Sequence, residues 1–229
     1  MMSHKQNEWV RVELHCHTRA SVDSLVLIDR LLKRCEKLGI DKIAITDHNE
    51  ITAALEAKVL APEMVIVGEE IQTSRGELLG YFMSEWVPPG LEPFDTINRL
   101  RDQGAIISIP HPFDPFRGKD WEPGDLESLV PYVDAVETFN ARCLGNKPNL
   151  EAAFFAIKYD LLMTVGSDAH TLDELGMATL VMPEFNEVGS FKAGLGMAQQ
   201  ITELSPFYTH LFSKYAKLNK RLKRFFNSK

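Results

Sequence analysis

Glu13-Leu14-His15-Cys16-His17-Thr18 sets two imidazoles one residue apart, and Asp168-Ala169-His170 repeats that spacing with a carboxylate and an imidazole. On a strand, residues i and i+2 point to the same face; on a helix they diverge and cannot share a ligand. Two such pairs at strand ends could hold cations. A mixture of imidazole and carboxylate suits Zn, Mn or Fe better than Mg or Ca, which prefer oxygen alone. Three further groups offer the same donors: Asp47-His48, Glu69-Glu70 and His111.

Each group closes a run that reads as a strand. "WVRVELHCH" alternates apolar and polar residues, and "KIAITDH", "MVIVGEE", "AIISIPHP" and "LLMTVGSDAH" are short aliphatic and β-branched runs. "DAVETFN" carries Glu137, then Asn140, while "ELLGYFM" and "MATLVMPEF" read as further strands. Between them lie helical patterns: "LVLIDRLLKRCEKLG" with Gly39 as a stop, "ITAALEAKVLA", "PFDTINRLRDQG" ended by Gly104, "DLESLVPYV" and "NLEAAFFAIKYD". The alternation implies βα units with parallel strands. About seven units suit a closed barrel or an open sheet. A barrel gathers residues from many strand ends at one face, whereas an open sheet uses only its switch-point crevice. Polar residues on nearly every strand end therefore favour the barrel, with His15 and His17 toward its mouth and Cys16 facing the helix layer. Five of the seven histidines fall at strand ends; His4 and His210 lie outside the βα core and receive no role.

The 229 residues are 45% hydrophobic and 25% charged, ordinary globular values, and no low-complexity linker interrupts them. The expectation is one domain over 1–229, with a core at about 11–185 and a helical extension at about 186–229. No apolar run approaches the roughly 20 residues of a membrane span. The N-terminus lacks a signal-peptide core, and three cysteines make no disulfide framework, so a reducing, cytoplasmic setting is expected. Net charge is −7, unevenly spread. Beyond Glu203 there are seven Lys and Arg and no acid, leaving 18 cations against 32 acids, a net −14, in the body. Such a body is not built to wrap nucleic acid, but it could hold cations. In the tail, Leu211, Tyr215, Leu218, Leu222 and Phe225 predict an amphipathic helix with a basic outer face. It either packs on the acidic body or acts as an arm attracting a polyanion.

The ordered set "HCHT…ITDH…GEE…HP…GSDAH" resembles the PHP (polymerase and histidinol phosphatase) superfamily of metal-dependent phosphoesterases, over roughly residues 11 to 185. The resemblance implies a distorted (β/α)7 barrel, here followed by the C-terminal amphipathic helix, and two or three divalent metal ions (Mn, Zn or Fe). It implies that His15 and His17 bind a first metal with Asp168 and a bridging Glu70; Gly68 sets the family's Gly-x-Glu register in favour of Glu70 over Glu69. It further implies that His111 binds a second metal with Glu70, and that His48 and His170 bind a third with a carboxylate after the first strand. The family aspartate would fall on Val22; Asp23, one residue on, takes its place. Where many members carry a histidine three residues before Gly80, this chain has Glu77, a harder ligand that would shift preference toward Mn or Fe or weaken the second site, or else a surface glutamate with no role. Asp47 is expected to orient His48.

The implied chemistry is hydrolysis of a phosphomonoester or phosphodiester of a small metabolite or nucleotide. A hydroxide held between two ions sharing Glu70, roughly 3.5–4 Å apart, would attack phosphorus. Arg142 and Arg19, with Arg117 behind them, are candidates to neutralise the phosphoryl oxygens, and His170 could protonate the leaving oxygen. The partner is then a phosphorylated small molecule, a nucleotide or a short oligonucleotide, with no membrane. The loop "FDPFRGKDWEPG", carrying Arg117 and Lys119, is the candidate specificity element. Two other readings remain: an amidohydrolase-type metal hydrolase, for which a strand-end lysine is missing, and a barrel that binds metal without turnover.

Overall fold

Aliphatic and β-branched runs form nine strands among the residues that the computed structural model describes, 9–116, 121–122 and 124–227. They are β1 (Trp9–Glu13), β2 (Lys42–Ile45), β3 (Val65–Gln72), β4 (Glu77–Tyr81), β5 (Ile106–Ile109), β6 (Ala135–Asn140), β7 (Leu162–Gly166), β8 (Ala178–Pro183) and β9 (Gln199–Thr202). The helices are α1 (Ile28–Leu38), α2 (Thr52–Leu60), α3 (Pro93–Asp102), α4 (Asp125–Leu129), α5 (Lys147–Tyr159), α6 (Val188–Leu195) and α7 (Thr209–Asn227). α1 stops where the sequence predicts: Gly39 takes the left-handed conformation (φ 65°) and its N–H reaches the Cys35 and Glu36 carbonyls. None of these helices is long and apolar enough to cross a membrane.

The strand order is β7-β6-β5-β4-β3-β2-β1-β8-β9. The sheet curls until the ends of β1 and β7 meet. Cys16 bridges Ala169 in parallel, the His17 N–H donating to the Ala169 carbonyl and the Ala169 N–H to that of His15. β8 runs antiparallel along Trp9 to Val12 and keeps the other end of that seam apart. The result is the distorted seven-stranded barrel, closed at the mouth and split below.

One strand departs from the all-parallel expectation. β4 is antiparallel to both β3 and β5, and only Thr73 to Gly76 separate it from β3, with the Thr73 N–H donating to the Gly76 carbonyl. A parallel return needs a crossover of a dozen or more residues, so this turn can only make a hairpin. The hairpin brings Glu77, the first residue of β4, to the same end as the last residues of β3.

Two apolar layers hold the barrel. The outer one packs Ile43, Ile45, Val67, Ile107 and Val136 under α1 to α5, and Cys16 lies in it beside Cys35 as expected. The inner one joins Val12, Ala44, Ile66, Tyr81, Ile106, Val165 and Leu180 from seven strands, which only the barrel interior can do. Phe185 and Phe191 close it at the end opposite the mouth.

The segment 186–229, expected to be helical, also carries β9, paired antiparallel with β8. α7 forms as predicted but lies the other way round. Leu211, Tyr215, Leu218 and Leu222 are about half exposed or more, whereas Thr209, Ser213 and Ala216 are buried. The side chain of Phe225 lies outside the described residues. The surface under α7 is the polar barrel mouth, so small and cationic side chains meet it and the Leu/Tyr stripe faces outward. Lys220 donates to the Arg19 and Ser21 carbonyls, and Lys217 reaches a carboxylate at the mouth.

Candidate metal centre

Every strand-end donor expected from the sequence arrives at one mouth. His15 and His17 follow β1, Asp23 lies between β1 and α1, His48 follows β2, Glu70 stands on β3, Glu77 opens β4, His111 follows β5, and Asp168 and His170 follow β7. Their donor atoms gather in sets of three lying within 4.8 Å of one another: His15, His17 and Asp168; His15, Glu70 and His111; His17, His48 and His170; His48, Glu70 and Glu77. Glu70 is the hub. It stands 3.3 Å from His15 Nε2, 3.4 Å from His17 Nε2, 2.9 Å from His48 Nδ1 and 3.0 Å from His111 Nε2. Asp23 lies 3.2 Å from His170 Nε2 and 3.5 Å from His48 Nε2, so it fills the place expected one residue earlier. Glu77 lies 3.7 Å from His111 Nε2. His111 and Asp168 hold left-handed backbones (φ 30° and 50°), a strain of about 1–3 kcal/mol each that collects at functional sites.

The orientation of the rings says what they face. His15 Nδ1–H donates to Glu137 Oε1 at 2.9 Å, His17 Nδ1–H to Ser21 Oγ at 3.1 Å, and His170 Nδ1–H to the Asp168 carbonyl at 2.8 Å. In each ring the Nε2 lone pair is then turned on a carboxylate oxygen: Glu70 for His15, Asp168 for His17 at 3.1 Å, Asp23 for His170. Lone pairs facing one another repel unless a proton or a metal ion stands between them. His15 Nε2, Asp23 Oδ1 and Glu70 Oε2 are buried with no hydrogen-bond partner. The donor set therefore fits divalent ions of the imidazole- and carboxylate-binding kind, each His held by its other nitrogen.

The titration directions agree. Burial pushes His15 and His48 down, but Glu70 and its neighbours outweigh it and hold both well above the usual imidazole range. Burial pushes Glu70 up, yet His48 and His15 hold it well below the usual carboxylate range. His17 is driven well down by burial and by His170 and His48 beside it.

Several supporting residues were named from the sequence without the role they hold. Glu137 binds the His15 ring and accepts both the His111 backbone N–H and Asn140 Nδ2, each at 2.9 Å, so one carboxylate positions donors from two strands. Its signal was available: an acid in the middle of the strand "DAVETFN", where both faces are buried. Gly166 permits the arrangement, since a Cβ there would lie 2.3 Å from His15 Cβ and 2.5 Å from Glu137 Oε1. Asp47 does not touch the His48 ring. It accepts from the Thr18 and Ser21 hydroxyls at 2.6 Å, and Ser21 Oγ in turn holds His17 and the His48 backbone N–H. Asp47 therefore acts through Ser21, on the His17 ring and on the His48 backbone.

The arginines divide. Arg142 is buried beside the cluster, its Nη2 donating to Ser213 of α7 at 3.0 Å and its Nη1 3.4 Å from Glu174. Arg19 is exposed and, among the described residues, makes no side-chain contact with the cluster, while its carbonyl accepts from Lys220 of α7. Arg117, Lys119 and His4 lie outside the described residues. From the same loop, Asp114 and Phe116 line the mouth, whereas Trp121 packs against Gly76. His210, given no role from sequence, comes within 3.4 Å of Arg142 Nη2.

Residues 13–94 match the PHP domain family, and residues 146–194 the PHP-associated family. Over 180 residues the chain is 39% identical to an uncharacterized protein of Methanocaldococcus jannaschii, covering 77% of this chain and 72% of the relative. Its fold is similar to that of a two-domain protein from Bacteroides vulgatus containing a predicted PHP-like metal-dependent phosphoesterase, with a TM-score of 0.67 at 19% identity over 86% of this chain and 65% of that one. The chain thus spans slightly less than two thirds of that structure. The lesion-specific endonuclease PfuEndoQ from Pyrococcus furiosus is also similar, with a TM-score of 0.60 at 16% identity over 84% of this chain and 57% of its own. Matched in both segments, the chain belongs to the PHP superfamily.

Proposed function

We propose that the chain hydrolyses a phosphomonoester or phosphodiester of a small metabolite or nucleotide with two or three divalent ions, Mn, Zn or Fe. The observation that carries this reading is Glu70 in contact with four imidazoles while three Nε2 lone pairs confront carboxylates. His15, His17, Asp168 and Glu70 would hold one ion. His111, Glu77 and Glu70 would hold a second, and His48, His170 and Asp23 a third. Bound there, the ions would supply Lewis acidity toward phosphoryl oxygens and a water that ionises near neutral pH.

The chain's own groups do the rest. Glu137, Ser21 and the Asp168 carbonyl fix the tautomers of His15, His17 and His170, so the Nε2 atoms stay aimed without reorganisation. Arg142 brings a fixed positive charge to the phosphoryl oxygens. His170 has both nitrogens engaged, which favours ligation over proton donation to the leaving group. Arg19, exposed beside the mouth, stays a candidate for the same role. The test is turnover of p-nitrophenyl phosphate and bis(p-nitrophenyl) phosphate by metal-reconstituted protein. Wild type should hydrolyse at least one ester and Glu70→Gln neither; equal turnover by both proteins would remove the proposal.

A further inference from the structure

The cavity over the cluster has a wall that does not come from the barrel. Its volume is about 440 Å³, in the range of small-molecule sites. Asp23 and His170 form its floor; Arg142 lines it in contact with α7, which adds His210, Lys214 and Lys217. Three cations therefore face a space whose floor is built of candidate metal ligands. Arg142 is 6% exposed, its Nη1 3.4 Å from the Glu174 carboxylate and its Nη2 donating to Ser213 of α7. Lys217 Nζ lies 3.2 Å from Asp23 Oδ2. A divalent ion on Asp23 would draw on the same carboxylate and repel the ammonium, leaving Lys217 in need of an anion.

We propose that Lys217 of α7, together with Arg142, recognises the terminal phosphate of a small phosphomonoester, so that the C-terminal helix is the specificity wall of the site. This rests on the phosphoesterase reading and narrows it. A monoester phosphate bears two negative charges near neutral pH and a diester one. The monoester thus has a further charged oxygen for a cation beyond the metal ligands, and a diester has instead a second substituent to place. α7 packed across the mouth, with Thr209, Ser213 and Ala216 buried against it, favours a chain end or free metabolite over a phosphate within a polymer.

The test uses the full chain, metal-reconstituted, as wild type and as Lys217→Met. kcat/KM is measured for p-nitrophenyl phosphate and for bis(p-nitrophenyl) phosphate, with metal content by mass spectrometry and inorganic phosphate affinity by calorimetry. In Lys217→Met the monoester-to-diester ratio should fall about tenfold and phosphate should bind about tenfold more weakly, the effect of losing one charged hydrogen bond, at unchanged metal content. Equal losses on both esters would mean that Lys217 only props the fold and would overturn the inference, as would phosphate affinity equal to wild type. If wild type hydrolyses neither ester, the phosphoesterase reading fails by itself, and the phosphate titration of the two proteins still decides whether Lys217 captures an anion.

Discussion

At the lower end of the barrel, Phe191 meets Tyr81 and Phe185 edge to face, at ring-centroid distances of 6.3 and 4.9 Å, in an apolar layer with the Lys42 ammonium 5.1 Å over the Phe185 ring. At the mouth, the His17 ring sits 4.2 Å from that of His170 and 4.4 Å from that of His48, among buried carboxylates. Both ends are close-packed, but for opposite reasons. The aromatic end needs no added ion, because the burial of its rings asks only for shape. The imidazole end is not, because aligned lone pairs and buried anions cost free energy until a cation joins them. Stability and function therefore divide along the barrel axis.

Breaking the lower end should produce the largest change in stability. Phe191→Ala should lose about 3–5 kcal/mol in chemical denaturation, while the fraction that remains folded still binds metal. Loss of metal at unchanged stability would contradict the division. Gly166→Ala sharpens it from the other side. The new methyl strikes His15 and Glu137, so metal affinity should fall about 10–100-fold, with destabilisation of about 1–3 kcal/mol. Equilibrium dialysis and urea titration measure the two separately.

The mouth should also respond to pH. Without metal, Glu70 and its neighbours keep His15 and His48 protonated beyond the usual imidazole range, so protons compete with metal. Adding metal to weakly buffered protein at pH 7 should release protons, and affinity should rise with pH. For the metal-free fold, raised imidazole values mean stability fully present below the ordinary pKa of about 6.5 and lost as pH rises through the folded values. A flat affinity between pH 6 and 8 would contradict this. The smallest effect lies in the outer layer. Burial pushes the Cys35 thiol up to about 12, so native protein should resist iodoacetamide at Cys35 at pH 8 and react there once unfolded. Peptide mapping after brief labelling distinguishes the two.

The sequence was most legible where one residue type carries both a strand signal and a chemical signal. Aliphatic runs that end in His15, His48, His111 and His170 marked the strands and the mouth together. The family motif supplied the register for Glu77 and fell one residue short of Asp23, and no periodicity marks either. The antiparallel β4 was less legible, because its direction is set by four turn residues, Thr73 to Gly76, and not by its own composition. Glu137 was visible as a buried acid, but its partners, His15 and the His111 backbone, come from strands far away in sequence. α7 was read in the right place and turned the wrong way. Helical periodicity finds an apolar stripe, but it does not say whether the neighbouring surface is apolar. Here that surface is a polar mouth, so Ser213, Lys217 and Lys220 turn inward.

The most direct test is the metal content of purified Glu70→Gln beside wild type, with circular dichroism to confirm that both are folded. One carboxylate bridging the cluster requires wild type to hold a pair of divalent ions and the variant to lose that pair. A folded variant with wild-type metal content would mean that Glu70 bridges nothing and that the imidazoles around it are not a metal centre.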